Sequence, residues 1–166
     1  MAKKAKKPAQ SGTPALQVLQ ESAIEYELFE YEHSATMEHG YARDTASVLG
    51  IAPEAVFKTL LVEADGQPAV GIVPASNLLN LKRIAKALGA KSAQMMDPAK
   101  AERLTGYVTG GISPLGQRKL YPTVIDETAL LLDQILISGG KRTLSVKLRP
   151  ADLAAVIKAR FADIAE

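Results

Sequence analysis

Lys58 is the residue whose type and position in the sequence most directly suggest chemistry. It stands in the middle of residues 56–62, a run of otherwise mostly apolar and β-branched residues. In a strand, the Lys58 side chain would share a face with Val56, Leu60 and Val62. A lysine on an apolar face either extends its ammonium to the edge of that face or is held there to meet an anion. The residues alone leave both interpretations open.

A glycine-rich segment is the second feature that could do chemistry. Residues 105–118 contain four glycines and one proline, and residues 110–116 read Gly-Gly-Ile-Ser-Pro-Leu-Gly. Glycines allow backbone N–H groups to converge on a carbonyl oxygen or a phosphate. The segment lacks the Gly-Lys-Ser/Thr ending of a P-loop and the last glycine of a G-x-S-x-G nucleophile elbow. A long connecting loop would explain the same composition.

Metal sites and protein nucleophiles find little support in the sequence. The chain has no cysteine and two histidines, His33 and His39, whose spacing differs from the i, i+4 pair of a helical zinc site. We therefore expect no transition-metal site, no disulfide and no cysteine nucleophile. A triad of Ser113, His33 and an acid has no local signature in its favour.

The composition predicts one globular domain without a membrane segment. The chain has 166 residues, of which 47% are hydrophobic and 23% are charged. That length suits a single core, and no apolar run approaches the roughly 18–20 residues that span a bilayer. The N-terminus also lacks the apolar stretch of a secretory signal. These features indicate a cytoplasmic protein.

The basic residues are unevenly distributed. Of 20 Lys and Arg against 18 Asp and Glu, four lysines fall within the first seven residues, which leaves 16 against 18 in the rest. We predict a flexible basic tail over residues 1–12 and a single domain over residues 13–166. Because that domain carries a net negative charge, any RNA contact must be local rather than broadly electrostatic.

The elements that must position these residues alternate between helices and tight strand pairs. Caps predict helices from Thr13-Pro14 to Ser22 and over 41–49, 81–88, 98–104 and 150–161. Apolar and β-branched runs predict a strand ending at Tyr31 and strands over 124–125, 134–137 and 143–148. Turn residues predict a hairpin of 56–62 and 69–73 and a turn at 138–141. This order favours an α+β fold with a mixed, largely antiparallel sheet and helices packed around it.

Several of these segments together resemble the YbaK/EbsC family of aminoacyl-tRNA deacylases, free-standing relatives of the editing domain of bacterial prolyl-tRNA synthetases. The Lys58-Thr59-Leu60 strand and the Gly-Gly-Ile-Ser-Pro-Leu-Gly loop are specific in combination. The resemblance extends through nearly all of the chain after the tail. Further matching segments are Tyr31-Glu32-His33, residues 86–90, residues 122–126 and Ser138-Gly139-Gly140-Lys141-Arg142.

The resemblance implies a function in translation quality control. It implies removal of cysteine from mischarged Cys-tRNA(Pro), with Cys-tRNA(Cys) as a second substrate, by attack of the substrate's own thiol on its ester. It implies no cofactor and no metal, and it implies the aminoacylated 3′ end of tRNA and prolyl-tRNA synthetase as partners. The implied catalytic residues are Lys58, Gly110 and Gly111, and the implied substrate-binding residues are Tyr31, Ile112, Ser113, Pro114 and Ser145.

One departure from the family pattern bears on substrate choice. After Gly-Gly-Lys-Arg, the family pattern continues Gly-Leu-Asp, whereas this chain has Thr143-Leu144-Ser145. Ser145 can form a hydrogen bond, but unlike an aspartate it carries no negative charge to pair with an ammonium group. Two alternatives therefore stand beside the Cys-tRNA(Pro) deacylase: a sibling deacylase for Ala-tRNA(Pro) or another mischarged tRNA, and a non-catalytic module that binds tRNA, a nucleotide or a synthetase.

Overall fold

The part of the chain that the structure describes contains nine strands, five α-helices and two short 3-10 helices, Pro53–Ala55 and Glu127–Leu131. The computed structural model describes residues 3–5, 12–35, 37 and 39–166. The helices are α1 (Pro14–Glu21), α2 (Tyr41–Leu49), α3 (Leu81–Leu88), α4 (Pro98–Thr105) and α5 (Pro150–Ile157). The strands are β1 (Lys3–Ala5), β2 (Tyr26–Glu30), β3 (Phe57–Ala64), β4 (Gln67–Pro74), β5 (Ala93–Met95), β6 (Thr123–Asp126), β7 (Ile135–Lys141), β8 (Leu144–Leu148) and β9 (Arg160–Ala162).

The strands form two sheets. One sheet has the order β1-β2-β8-β7 and is antiparallel throughout. The other has the order β5-β3-β4-β6-β9, in which β3 runs antiparallel to β4 and β5, while β6 runs parallel to β4 and β9. A parallel bridge between Val56 and Leu136 joins the sheets just before β3 begins. The α+β class with mixed, largely antiparallel strands is confirmed, with the strands divided between two sheets.

The main core lies between the two sheets. Leu28, Val146 and Ile137 of the first sheet belong to the same buried cluster as Phe57 and Ile125 of the second. A separate cluster covers the face of the second sheet that packs against α3, and a third lies against α2. Packed elements therefore surround the place near α2 where the two sheets join. A preorganised site needs such a rigid setting.

Local sequence signals explain most element boundaries. The Thr13 hydroxyl accepts a hydrogen bond from the Leu16 N–H and caps α1 as predicted. Gly50 adopts the left-handed conformation that ends α2. Asp65 and Gly66 both have positive φ angles, of 49° and 81°, in the predicted β3–β4 hairpin.

The turn predicted at residues 138–141 is wrong. Residues 138–141 were predicted to reverse the chain, but they belong to β7, and the pairing register with β8 shifts between Ser138 and Lys141. Gly140 has φ +103°, and a Cβ there would lie 2.9 Å from both Thr13 and Tyr107. These glycines therefore permit a bulge and close packing, and the chain reverses after Lys141.

The C-terminal helix is shorter than predicted. It ends at Ile157 because Lys158, with φ 54°, adopts the left-handed conformation without being a glycine. The chain then continues into β9, which pairs in parallel with β6. The sequence did not predict this strand or β5.

The predicted basic tail falls mostly outside the described residues. Of residues 1–12, the structure describes residues 3–5, which pair with β2 as an edge strand, and Gly12. The domain boundary at residue 13 stays a prediction. None of the helices in the described ranges is long and apolar enough to cross a membrane.

Candidate functional site

A cavity of about 350 Å³ lies between α2, β3 and the loop that follows α4. It contains five of the eight residues that the sequence analysis singled out as catalytic or substrate-binding. This convergence brings together segments that are up to 114 residues apart in the chain, as the Tyr31–Ser145 contact shows. The five residues are Tyr31, Lys58, Gly110, Ile112 and Ser145.

Lys58 lies on the cavity wall near the start of β3. Its side chain is half-buried, whereas the neighbouring Phe57 and Thr59 are buried on the alternate face of the strand. Burial lowers the pKa of Lys58, and the positive charge of Arg43 lowers it further. Arg43 is exposed on α2 and lines the same cavity. Among the described residues, neither cation has a carboxylate partner, so the pair is suited to an anionic ligand.

Three buried hydroxyl groups form a second part of the cavity wall. The Tyr31 hydroxyl lies 2.7 Å from the Ser145 Oγ and 3.0 Å from the Thr45 Oγ1. Burial raises the pKa of Tyr31, although the hydrogen bonds that it shares with Ser145 and Thr45 lower it. The phenol is therefore neutral near pH 7, and the three hydroxyl groups together offer uncharged hydrogen-bond donors and acceptors.

The glycine loop contributes one glycine to the cavity rather than two. The Gly111 N–H donates to the Val108 carbonyl at 2.8 Å and closes a turn in which Gly110 has φ +86°. A Cβ on Gly110 would lie 2.5 Å from the Tyr41 ring, so only glycine fits there. Gly111 packs against the backbone of Lys141 instead and does not line the cavity. The expectation that both N–H groups face a substrate carbonyl is therefore wrong for Gly111, whereas the Gly110 N–H has no partner within the described part of the chain.

Ser113 and Pro114 are not part of the cavity wall. Both are buried, and the Ser113 Oγ accepts a hydrogen bond from the Leu115 N–H at 3.1 Å. Neither residue belongs to the cavity lining, so the structure does not bring them to the site with Lys58. The Ser113 and His33 side chains also have different partners, since His33 contacts Asp44 and the Arg142 carbonyl. The imagined Ser–His–acid triad is therefore not formed.

The structure adds two cavity residues that the sequence analysis did not single out as functional. Arg43 is one of them. The other is Thr59, whose buried hydroxyl has no hydrogen-bond partner and is the one such side-chain atom among the described residues. A buried hydroxyl without a partner costs free energy, which a bound ligand can recover by pairing with it. Its position next to Lys58 in the matching strand was the signal available in the sequence.

Comparisons with known proteins decide what kind of domain this is. Residues 39–156 match the aminoacyl-tRNA editing domain family, and that range contains every cavity residue except Tyr31. The chain belongs to this family. EbsC of Enterococcus faecalis, a relative with a provisional assignment as a Cys-tRNA(Pro)/Cys-tRNA(Cys) deacylase, is 35% identical over 161 residues, which are 96% of this chain and 97% of EbsC. The resemblance to the YbaK/EbsC family is thereby confirmed.

Two further proteins are similar to this chain, one as a segment of a larger protein and one as a free chain of the same fold. The proline–tRNA ligase of Geobacter metallireducens is 29% identical over 118 residues, which are 71% of this chain and 20% of the ligase. A crystal structure provisionally described as a trans-editing enzyme for prolyl-tRNA synthetase superposes with a TM-score of 0.76 at 21% identity, covering 94% of this chain and 99% of the other. The latter likeness establishes the fold.

Proposed function

We propose that this chain is a trans-editing aminoacyl-tRNA deacylase that removes cysteine from Cys-tRNA(Pro), and also from Cys-tRNA(Cys). EbsC, whose assigned substrates these are, matches nearly the whole chain. The observation that carries the proposal is the pair of cations, Lys58 and Arg43, on the wall of a small cavity with no carboxylate partner among the described residues. Such a pair would bind a phosphate at the 3′ end of the tRNA.

The size of the cavity supports an aminoacyl ester as the bound group. A volume of about 350 Å³ is at the lower end of the range for small-molecule sites. It admits an amino acid with its ribose, while the remainder of a tRNA must lie outside. Lys58 would hold the terminal nucleotide, and the hydroxyl groups of Tyr31 and Ser145 would contact the amino acid.

The proposed reaction uses a nucleophile that the substrate supplies. The cysteine sulfur attacks its own carbonyl carbon, the S–C bond forms, and the C–O bond to the ribose breaks. The thiol proton passes to the departing ribose oxygen, and water then opens the cyclic thioester to free cysteine. The Gly110 N–H would stabilise the developing oxyanion, and the cavity would hold the thiol close to the carbonyl.

Selection of the tRNA would depend on a partner. The domain outside the N-terminal segment has a net negative charge, so its own attraction for the tRNA backbone is weak. We infer that prolyl-tRNA synthetase in the cytoplasm presents the mischarged tRNA. If so, omitting the synthetase should reduce the preference for tRNA(Pro) over tRNA(Cys), and an unchanged preference would argue against this partner.

The deciding experiment measures release of amino acid from Cys-tRNA(Pro), Ala-tRNA(Pro) and Cys-tRNA(Cys). The wild type and Lys58→Ala are compared on each substrate. Rapid, Lys58-dependent loss of cysteine would establish the proposed activity. Loss of alanine instead would indicate the sibling specificity and would point to Ser145 as its cause. Binding without turnover on all three substrates would refute a deacylase and leave a tRNA-binding module.

A further inference from the structure

His33 lies where three segments around the cavity meet. Its Nδ1 is 2.7 Å from the Asp44 Oδ2 on α2, and its Nε2 contacts the Arg142 carbonyl in the turn between β7 and β8. The ring also meets the edges of Tyr31 and Tyr41, each at a centroid distance of 5.3 Å. Its side chain is 10% exposed. The ring is thus fixed on all sides although it does not line the cavity itself.

The two polar partners of the ring hold it in one orientation, with one partner at each ring nitrogen. A carboxylate is a hydrogen-bond acceptor, so the Nδ1 that faces Asp44 donates a hydrogen to it. Burial opposes ionisation of Asp44, but hydrogen bonds from Ser34 and His33 outweigh it and lower the pKa of this carboxyl. The carboxylate is therefore present as an acceptor at neutral pH.

The contacts of His33 continue to the groups that face the substrate. Arg142, whose carbonyl His33 binds, donates its Nε–H to the Thr109 carbonyl at 2.9 Å and places its guanidinium 4.9 Å from the centre of the Tyr41 ring. Gly110 packs directly against that same ring. A displacement of the His33 ring would therefore reach both the Tyr31 hydroxyl and the Gly110 N–H.

We propose that His33 is a positioning residue that fixes Tyr31 and Gly110 relative to each other across the cavity. The charged and titratable groups that face it are Asp44 and Tyr41 of α2, Tyr31 after β2 and Arg142 of the β7–β8 turn. This inference rests on the proposed deacylase function. It assigns His33 no contact with the substrate.

The first test reads the ring itself and needs no substrate. Nitrogen-15 NMR of the histidine rings should show that the Nδ1 of His33, which faces the Asp44 carboxylate, carries a hydrogen. In Asp44→Asn, the amide can donate to Nδ1, so the hydrogen of the His33 ring should lie on Nε2 instead. A wild-type His33 without hydrogen on Nδ1 would overturn the proposal. Because no substrate is involved, this result stands even if deacylation fails.

The second test separates positioning from folding. His33→Asn can donate an amide hydrogen to Asp44, but its shorter side chain does not reach the Arg142 carbonyl. We expect a melting temperature near that of the wild type, an unchanged KM and a kcat reduced about 10- to 100-fold, since misplacement by about 1 Å has effects of this size. An unchanged kcat in this folded variant would refute the positioning role. A fall that merely follows the unfolded fraction would also refute it.

Discussion

Replacing Lys58 with methionine should have opposite effects on activity and on stability. The substitution removes the ammonium but keeps an unbranched chain of similar length on the face that Lys58 shares with Leu60 and Val62. In the proposed complex the ammonium makes a charge-assisted hydrogen bond to phosphate. Such bonds contribute about 1.5–3 kcal/mol, so we expect kcat/KM to fall about 10- to 150-fold.

The stability of the free protein should increase in the same variant. Burial and the nearby Arg43 charge lower the pKa of Lys58, so the folded state holds the charged form less favourably than the unfolded state does. This cost is fully present below the folded-state pKa and disappears as the pH rises towards the unfolded value. The stability gain of Lys58→Met should therefore be largest near pH 7 and smaller in alkaline solution.

The assay combines deacylation kinetics with urea unfolding at pH 7 and at alkaline pH. Lys147→Met is the matched control, because Lys147 also lies within a strand and is half-buried, but does not line the cavity. The control should keep full activity and show no comparable pH-dependent gain. Full activity of Lys58→Met at both low and saturating tRNA would refute the anchoring role. A loss of stability would contradict the argument from repulsion and burial.

Three other substitutions test the remaining cavity groups. Thr59→Val should raise the free energy of unfolding by about 1 kcal/mol, because it removes an unpaired buried hydroxyl. A lower free energy of unfolding, measured with urea, would show that the hydroxyl is paired. Gly110→Ala should lose more stability than Gly66→Ala, since both have positive φ angles costing about 1–2 kcal/mol but only Gly110 meets a ring; equal losses would contradict this. Ser145→Asp should change the ratio of cysteine to alanine release from tRNA(Pro), and an unchanged ratio would exclude Ser145 from substrate choice.

Those parts of the site that depend on local sequence could be predicted. The alternation of residues in β3 predicted that Lys58 and Phe57 lie on opposite faces of the strand. In the structure Lys58 is half-buried and Phe57 is buried, as this alternation requires. Gly110 sits at a turn position with φ +86°, which a glycine-rich segment favours. Helix caps at Thr13 and Gly50 also depend on neighbouring residues, so their signals are visible in the chain.

The parts that depend on tertiary contacts could not be predicted. Gly110 and Gly111 have different roles because the Gly111 N–H donates to the Val108 carbonyl and closes the turn. The sequence shows two adjacent glycines and does not distinguish them. The unpaired hydroxyl of Thr59 becomes apparent only when every neighbouring group is placed. The end of α5 is marked by no glycine in the sequence, because the residue that adopts the left-handed conformation there is Lys158.

The distribution of charge in the cavity favours a nucleophile that arrives with the substrate. Its described lining has cations at Lys58 and Arg43, neutral hydroxyl groups around Tyr31 and an exposed histidine, His39, but no aspartate or glutamate. Tyr31 is a poor base because burial raises its pKa and keeps the phenol protonated. A cysteine thiol held beside its own ester needs position and oxyanion stabilisation more than a strong base. An alanine ester has no such thiol, so the same lining would separate the two substrates by chemistry as well as by size.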